Sequence, residues 1–167
     1  QVYCDTPVYI NEMVNKHKPS SAISTARVNF LAHLLDNAAE QNLGFEDGKF
    51  PPEKTIYLTL LRNTGIHKRI GREYLMDTPT EESFLPLWNT CEAFLDSTKE
   101  KPRKLGELIK ILRSRPFKLK QGVIDLWLPA FLIIKKNDYS LYNDAGIYIH
   151  TITREVLDIM QKSPAGF

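Results

Sequence analysis

The chain has 167 residues, of which 43% are hydrophobic and 25% are charged. These proportions are ordinary for a globular protein and exclude a disordered or fibrous chain. A chain of this length forms one domain, or two small ones that share a core. The longest apolar stretch, residues 123–134, is about half of the ~20 residues that a membrane-spanning helix requires, so we expect no membrane contact.

The net charge of +2 hides an uneven distribution. Residues 99–120 contain nine Lys or Arg and two Glu, a balance of +7, whereas the rest of the chain carries −5. Charge that is segregated in this way can steer an anionic partner towards one part of a molecule.

The two cysteines, Cys4 and Cys91, have no spacing that predicts a disulfide framework or a metal site. Cys91 lies on the apolar face of a predicted helix, so we expect it in the core. The chain starts at Gln1 without a signal-peptide pattern. We therefore expect a piece of a larger protein in a reducing, cytoplasmic compartment.

The N-terminal part predicts an extended start, a short helix near residues 10–16 and then a longer helix. Ser20 or Ser21 caps this longer helix, and apolar residues at helical spacing extend it to about Glu40. The loop that follows, residues 42–50, lacks the spacing of a phosphate-binding loop, so we exclude nucleotide binding there.

Two prolines, Pro51 and Pro52, open the next predicted helix, which Gly65 ends. The β-propensity of residues 55–59 makes a strand the alternative. The basic stretch of residues 67–74 is predicted to be irregular, with a turn at Gly71.

The third long helix follows a predicted capping box of Thr78 and Glu81, with Pro79 at the first helical position. Since Pro86 would cost a hydrogen bond inside this helix, a start near Ser83 is the alternative.

The second half of the chain has the element order of a winged-helix unit. An amphipathic helix with Leu105 and Leu112 on its seam stops at Pro116, and a turn leads into the apolar helix of residues 123–134. A hairpin follows, with strands near residues 139–142 and 147–150 around an Asn/Asp/Gly turn. Thr153 caps a last amphipathic helix.

The apolar helix occupies the position of the DNA-reading helix, but it is hydrophobic on every side. Such a helix is buried, so Leu126, Trp127 and Phe131 should be sequestered by neighbouring elements. It can act as a scaffold, but it offers too few polar side chains to read bases.

No catalytic or metal-binding pattern is present in the sequence. The four histidines, His17, His33, His67 and His150, are far apart, with no partner at ligand spacing. Asp125 is the one acid inside the apolar helix. We expect it to lie at a solvated or interface edge or to cap a nearby backbone group, and a carboxyl with a perturbed pKa is the alternative. We expect no enzyme activity, no metal and no cofactor.

The basic segment contains the candidate contact residues. The first interpretation is the solvated face of a helix, and the second is contact with nucleic-acid phosphates or an acidic protein. The second assigns nucleic-acid binding to Arg103, Lys104, Lys110, Arg113, Arg115, Lys118, Lys120 and Gln121. The tyrosines of the hairpin could stack on a base or a partner, or pack against the body of the protein.

Short motifs along most of the chain resemble a segment of large, multidomain bacterial P-loop ATPases of phage-defence (BREX-type) systems. In the first half they are Pro7, Asn11-Glu12, Asn15, Pro51-Pro52-Glu53, Ile56-Tyr57 and Thr64-Gly65-Ile66-His67. In the second half they are Leu105, Leu108, Leu112, Pro116-Phe117, Leu119-Lys120, Gly122-Val123-Ile124 and Leu141-Tyr142. Where the pattern predicts glycine after Pro-Phe, this chain has Lys118. The resemblance implies an accessory helical and winged-helix region outside the ATPase core, which relays the ATPase state to other domains, a partner protein or DNA.

Together these observations predict a mainly α fold, a helical bundle with a C-terminal winged-helix-like unit that carries one short β-hairpin. Residues 1–76 would form an N-terminal helical subdomain and residues 77–167 the winged-helix-like subdomain, with a shared core. We expect a non-enzymatic interaction or scaffolding module of a larger bacterial protein that contacts other domains or a partner protein. The alternative is a nucleic-acid-binding winged helix that contacts phosphates through residues 99–120.

Overall fold

The fold is mainly α-helical, as the sequence predicts. The computed structural model describes residues 20–167, so the predicted extended start and the helix near residues 10–16 lie outside the described residues. Of residues 20–167, 55% are helical, and this part also contains two small antiparallel sheets. The helices of the described part are α1 (Ser21–Asp36), α2 (Pro52–Tyr57), α3 (Leu85–Ser97), α4 (Leu105–Arg113), α5 (Gln121–Ile134) and α6 (Arg154–Lys162). The strands are β1 (His67–Ile70), β2 (Glu73–Met76), β3 (Leu141–Tyr142) and β4 (Tyr148–Ile149).

Helix α1 begins where the sequence predicts and ends earlier. The Ser20 hydroxyl accepts a hydrogen bond from the Ile23 amide at 3.4 Å, which caps the first turn. The prediction that the helix continues to Glu40 is wrong, because the chain leaves helical geometry at Asn37. It then turns back through residues 41–44 and buries Leu43 against the core.

Helix α2 begins at the proline pair, and the alternative of a strand over residues 55–59 is wrong. It continues as one π-helical turn, Leu58–Arg62. Gly65, with φ +74°, then reverses the chain. A Cβ atom at Gly65 would lie 2.0 Å from the Thr80 hydroxyl oxygen, so both the turn and the close approach require glycine.

Strands β1 and β2 form a hairpin that the sequence did not predict, because residues 67–74 were expected to be irregular. The strands pair in antiparallel fashion from His67 opposite Met76 to Ile70 opposite Glu73. The two-residue loop starts at Gly71, with φ +65°, which suits a glycine-initiated hairpin turn.

Helix α3 begins later than the first of its two predicted starts. The capping box at Thr78 does not form, because the Thr80 and Glu81 amides donate to the Thr64 carbonyl at 2.9 and 3.1 Å and hold this stretch beside the end of α2. A 3₁₀ turn over Glu82–Phe84 leads into the helix, close to the alternative start. Pro86 therefore stands in the first turn, where its missing amide removes no helical hydrogen bond.

Helices α4 and α5, the hairpin β3–β4 and helix α6 follow in the predicted order. Leu141 pairs with Ile149 and Tyr142 with Tyr148 in the hairpin. The Thr153 hydroxyl accepts from the Val156 amide at 3.4 Å and caps α6, as predicted.

The core is built around α5, and the prediction that this helix is sequestered is confirmed. Leu126, Trp127 and Phe131 are all buried. The Trp127 ring packs against Trp88 of α3 at 6.2 Å between ring centroids, and its indole N–H donates to the Cys91 sulfur at 3.5 Å. Helices α1 and α4 also contact α5.

A single hydrophobic cluster spans the predicted boundary between residues 76 and 77. It contains Phe30 and Leu34 of α1 on one side of the boundary and Trp88 and Trp127 on the other. Among residues 20–167, no helix combines the length and the hydrophobicity needed to cross a membrane.

Candidate nucleic-acid interface

Five of the eight predicted contact residues come together at one end of α5. We call the connection from the last turn of α4 to the start of α5, residues 110–120, the basic turn. All five are exposed, and the sequence has no acidic residue between positions 108 and 124. They are Lys110, Arg113, Arg115, Lys118 and Lys120.

Two buried side chains fix the basic turn. Phe117 and Leu119 insert into the core, and the Leu119 amide donates to the Leu112 carbonyl at 2.9 Å. Lys118 lies between them, adopts a left-handed φ of +48° and is exposed. The alternation of buried and exposed residues therefore keeps cationic side chains on the outside.

Gln121 is engaged within the fold. Its side-chain oxygen accepts from the Arg113 guanidinium, and its amide nitrogen donates to the Asp125 carboxylate at 2.5 Å. This chain of contacts fixes Arg113 against the first turn of α5. Asp125 is half-buried, which agrees with the interpretation that places it at an edge of the helix.

Arg103 and Lys104 lie at the other end of α4, away from the basic turn. The Arg103 guanidinium donates to Glu107 at 2.8 Å and to the Ser97 hydroxyl at 2.9 Å, and it lies over the Phe94 ring at 4.4 Å. Lys104 precedes α4, and its amide donates to the Glu107 carboxylate at 3.2 Å. The hydrogen bonds from Arg103 and Lys104 hold the pKa of Glu107 below its ordinary value. Arg103 thus connects α3 to α4 instead of facing a partner.

The tyrosines of the second hairpin divide between the two alternatives that the sequence left open. Tyr139 packs against the body of the protein: its hydroxyl donates to the Leu132 carbonyl at 2.8 Å, and burial raises its pKa. Tyr142 and Tyr148 are exposed, with their ring centroids 5.4 Å apart. They follow α5 in the chain, and the 14 residues of this helix, about 20 Å in length, lie between them and the basic turn in the sequence.

The described metal-ligating side chains do not gather into a metal site. Within residues 20–167, no group of three or more His, Cys, Asp or Glu side chains could hold a metal ion. Burial raises the pKa of the Cys91 thiol to about 12, so it remains protonated at neutral pH. His33 contacts the Leu43 carbonyl at 2.9 Å and His67 the Tyr57 hydroxyl at 2.8 Å.

A cleft beside the second hairpin is the feature that the sequence interpretation missed. It measures about 620 Å³ and lies between the end of α1, the β3–β4 hairpin and the start of α6. Lys136 and Arg154 contribute positive charge to it. The basic segment defined from the sequence ends at residue 120 and so does not include any residue of this cleft. The pair Lys135-Lys136 is the local feature of the sequence that could have pointed to it.

Comparison with protein families, with curated proteins and with solved structures found no match.

Proposed function

We propose that this chain is a non-enzymatic binding module that contacts nucleic-acid phosphates through the basic turn. The observation that carries the proposal is the set of five exposed cations on one turn, in a stretch of sequence without acidic residues from position 108 to 124, with two buried anchors beneath them. Lys and Arg side chains neutralise phosphates without regard to base sequence. The start of α5 adds a partial positive charge at the same place.

Contact with phosphates fits the structure better than base reading. A helix that reads bases projects several polar side chains into the major groove. Helix α5 is surrounded by other elements, and Gln121 and Asp125 at its start bond to each other. The proposed contact therefore positions nucleic acid without selecting its sequence.

We infer further that α4, α5, the β3–β4 hairpin and α6 form a winged-helix unit used as a scaffold. The order of the elements supports this. Helix α5, about 20 Å of buried helix, stands between the basic turn and the hairpin along the chain, so we expect that a duplex does not contact both in the usual groove-reading manner.

The resemblance to BREX-type ATPases supports a cytoplasmic bacterial parent protein, whose nucleotide state this module would relay. The backbone conformation of Lys118 agrees with the pattern of that resemblance. It stands where the pattern predicts glycine, and its φ of +48° is one that glycine adopts most easily. Exposed Ile70 and Leu75 on the first hairpin support contact with a neighbouring domain or a partner protein.

Titration of a labelled duplex at two salt concentrations tests the proposed phosphate contact. We expect affinity to fall with salt at a log–log slope of roughly −0.9 for each phosphate contacted. Exchange of Arg115, Lys118 and Lys120 for Ala should abolish binding and leave the thermal unfolding transition in place. Arg113 is kept in this variant because it bonds to Gln121.

A matched control removes the same charge elsewhere: Lys49, Arg72 and Lys162 are exposed and lie outside the basic turn. Their exchange for Ala should leave most of the binding. An absence of duplex binding by the natural chain at low salt would refute phosphate contact. Hydrolysis of ATP or of an ester by the pure chain at enzyme-like rates would refute the non-enzymatic assignment.

A further inference from the structure

The cleft beside the second hairpin has the size of a small ligand site. Its volume of about 620 Å³ lies within the range of small-molecule sites in proteins. Leu35, Leu141 and Ile152 line it and pack against the core, so they give the cleft a fixed apolar part. Charged and polar side chains make up the rest of its lining.

Two cations that line the cleft are available to a ligand. The Lys136 ammonium is exposed and makes no hydrogen bond or ion pair with any residue in the described part of the chain. Arg154 contacts Asp36 at 3.3 Å, and both side chains are more than half exposed. An ion pair with this exposure contributes little stability, so the guanidinium can exchange Asp36 for a ligand anion.

The second acid of the cleft is directed towards the protein backbone. The Glu155 carboxylate accepts hydrogen bonds from the Thr153 hydroxyl and from its own amide, and these hold its pKa below its ordinary value. Its charge is thus used at the start of α6, where a negative charge is favourable.

Tyr148 contributes an aromatic ring to the lining of the cleft. The Tyr148 side chain lines the cleft and is 41% exposed. Its ring centroid is 5.4 Å from that of Tyr142 and 4.4 Å from that of His150, which meets it edge-on. These neighbours support the Tyr148 ring and leave part of it open to solvent.

We propose that this cleft binds one unpaired nucleotide, with its base stacked on Tyr148 and its phosphate held by Lys136 and Arg154. Sites for single-stranded nucleic acid combine cations that follow the backbone with aromatic rings on which bases stack. The proposal rests on the proposed function in one respect: the nucleotide belongs to a strand that the basic turn also holds. A free nucleotide offers the same chemistry, and the experiment separates the two sources.

The experiment measures binding of a ten-residue single strand, of a duplex and of adenosine monophosphate to the full chain. Tyr148→Ala should weaken single-strand binding about tenfold, as expected for the loss of one stacked base. Tyr148→Phe keeps the ring and should bind normally. Duplex binding should not change in either variant, because paired bases are not available for stacking.

Binding of adenosine monophosphate distinguishes a site in the cleft from a site at the basic turn. Lys136→Ala combined with Arg154→Ala should abolish binding of adenosine monophosphate, whereas Lys162→Ala, which removes an exposed lysine outside the cleft, should not. The variant that lacks Arg115, Lys118 and Lys120 should retain it.

Each outcome bears on one of the two proposals. Single-strand affinity that is unchanged in Tyr148→Ala, with no binding of adenosine monophosphate, would overturn the cleft proposal and leave phosphate contact at the basic turn intact. Mononucleotide binding without binding of any strand would support the cleft as a free-nucleotide site and overturn the proposed function.

Discussion

Lys118 combines an unfavourable backbone conformation with an exposed positive charge. Its left-handed φ of +48° costs a residue with a Cβ atom about 1–2 kcal/mol, a cost that glycine avoids. The side chain is exposed, and the turn is held by its buried neighbours Phe117 and Leu119. The chain thus keeps a cation at a position where stability alone favours glycine.

Lys118→Gly should therefore stabilise the protein and weaken duplex binding at the same time. The expected gain in unfolding free energy is up to about 1 kcal/mol, because the greater freedom of glycine in the unfolded chain offsets part of the relief. Urea denaturation and duplex titration measure the two effects. Lys118→Ala removes the same charge but keeps the Cβ atom, so it should weaken binding without the gain in stability. Equal stability of the two variants would contradict this account.

His67 is a buried histidine whose tautomer is fixed by its neighbours. Its Nε2 lies 3.1 Å from the Ala38 carbonyl, which can only accept, so Nε2 carries the proton. Its Nδ1 then accepts from the Tyr57 hydroxyl at 2.8 Å. Burial lowers the pKa of His67 from 6.5, and the hydrogen bond to Ala38 opposes this in part. Burial raises the pKa of Tyr57 to about 12, so its hydroxyl remains a donor.

The unfolding free energy should consequently fall as pH drops below about 6.5. The folded-state pKa of His67 is the lower one, so the unfolded chain binds more protons between the two values. The contribution of His67 is complete above pH 6.5 and is lost as pH falls towards the folded pKa. Urea denaturation between pH 5 and 8 measures this dependence.

His67→Gln tests the assignment. It should cost about 1–3 kcal/mol at pH 8, because buried partners lose hydrogen bonds, and it should flatten the dependence on pH. His150→Gln, on an exposed residue of the second hairpin, is the matched control and should keep the slope. A slope in His67→Gln equal to that of the natural chain would show that another group is responsible.

At the scale of elements, the hydrophobic pattern predicted the buried helix α5, and capping chemistry predicted the starts of helices α1 and α6. Residues 123–134 are apolar in a run too long for an ordinary strand, so a buried helix was the expected outcome. Ser20 and Thr153 each precede a periodic apolar segment, and both form the caps expected of them. These features are local, which is why they can be found from the sequence.

Elements specified by contacts distant in sequence were missed. Strands β1 and β2 are short and carry exposed Arg69, Ile70 and Leu75, so they show little apolar alternation. The hairpin is fixed by buried His67, whose partner Ala38 lies 29 positions earlier. The end of α1 likewise depends on the burial of Leu43, which no local pattern reveals.

Burial on every side gives α5 a mutational signature that an amphipathic helix lacks. Three consecutive residues, Leu126, Trp127 and Leu128, are all buried, so alanine at each should cost about 2–5 kcal/mol. An amphipathic helix tolerates at least one of three consecutive changes. Ile159 of α6 is 54% exposed, and its exchange for Ala is the control, with an expected cost within about 0.5 kcal/mol. Thermal and urea unfolding measure the four variants; a neutral Leu126→Ala or Leu128→Ala would contradict the central position of α5.

At the scale of the whole molecule, the candidate surface was predictable in part. The density of Lys and Arg between residues 99 and 120 located the basic turn. The sequence did not reveal that Arg103 and Gln121 are engaged within the fold, because their partners depend on how α3, α4 and α5 pack. The cleft was invisible for a related reason: its walls come from the end of α1, the hairpin and α6, which are far apart in sequence.

Whether residues 77–167 fold alone distinguishes an independent winged helix from one part of a shared core. Helix α1 contacts both α5 and α6, and its Leu31 lies beside Pro129 and Leu157. A fragment of residues 77–167 would expose these apolar surfaces to water, which opposes folding. We expect the fragment to lack the near-ultraviolet circular dichroism of packed tryptophans and to unfold without a cooperative transition.

The full chain should behave in the opposite way. It should unfold in one step, with coincident transitions by tryptophan fluorescence and by far-ultraviolet circular dichroism, because Trp88 and Trp127 share a cluster with Phe30 and Leu34. Addition of residues 1–76 to the fragment should restore the tryptophan signal, since those residues supply α1. A fragment that shows native tryptophan signals and cooperative unfolding without this addition would establish an autonomous winged-helix unit, and α1 would then be an accessory to that unit and not a part of its core.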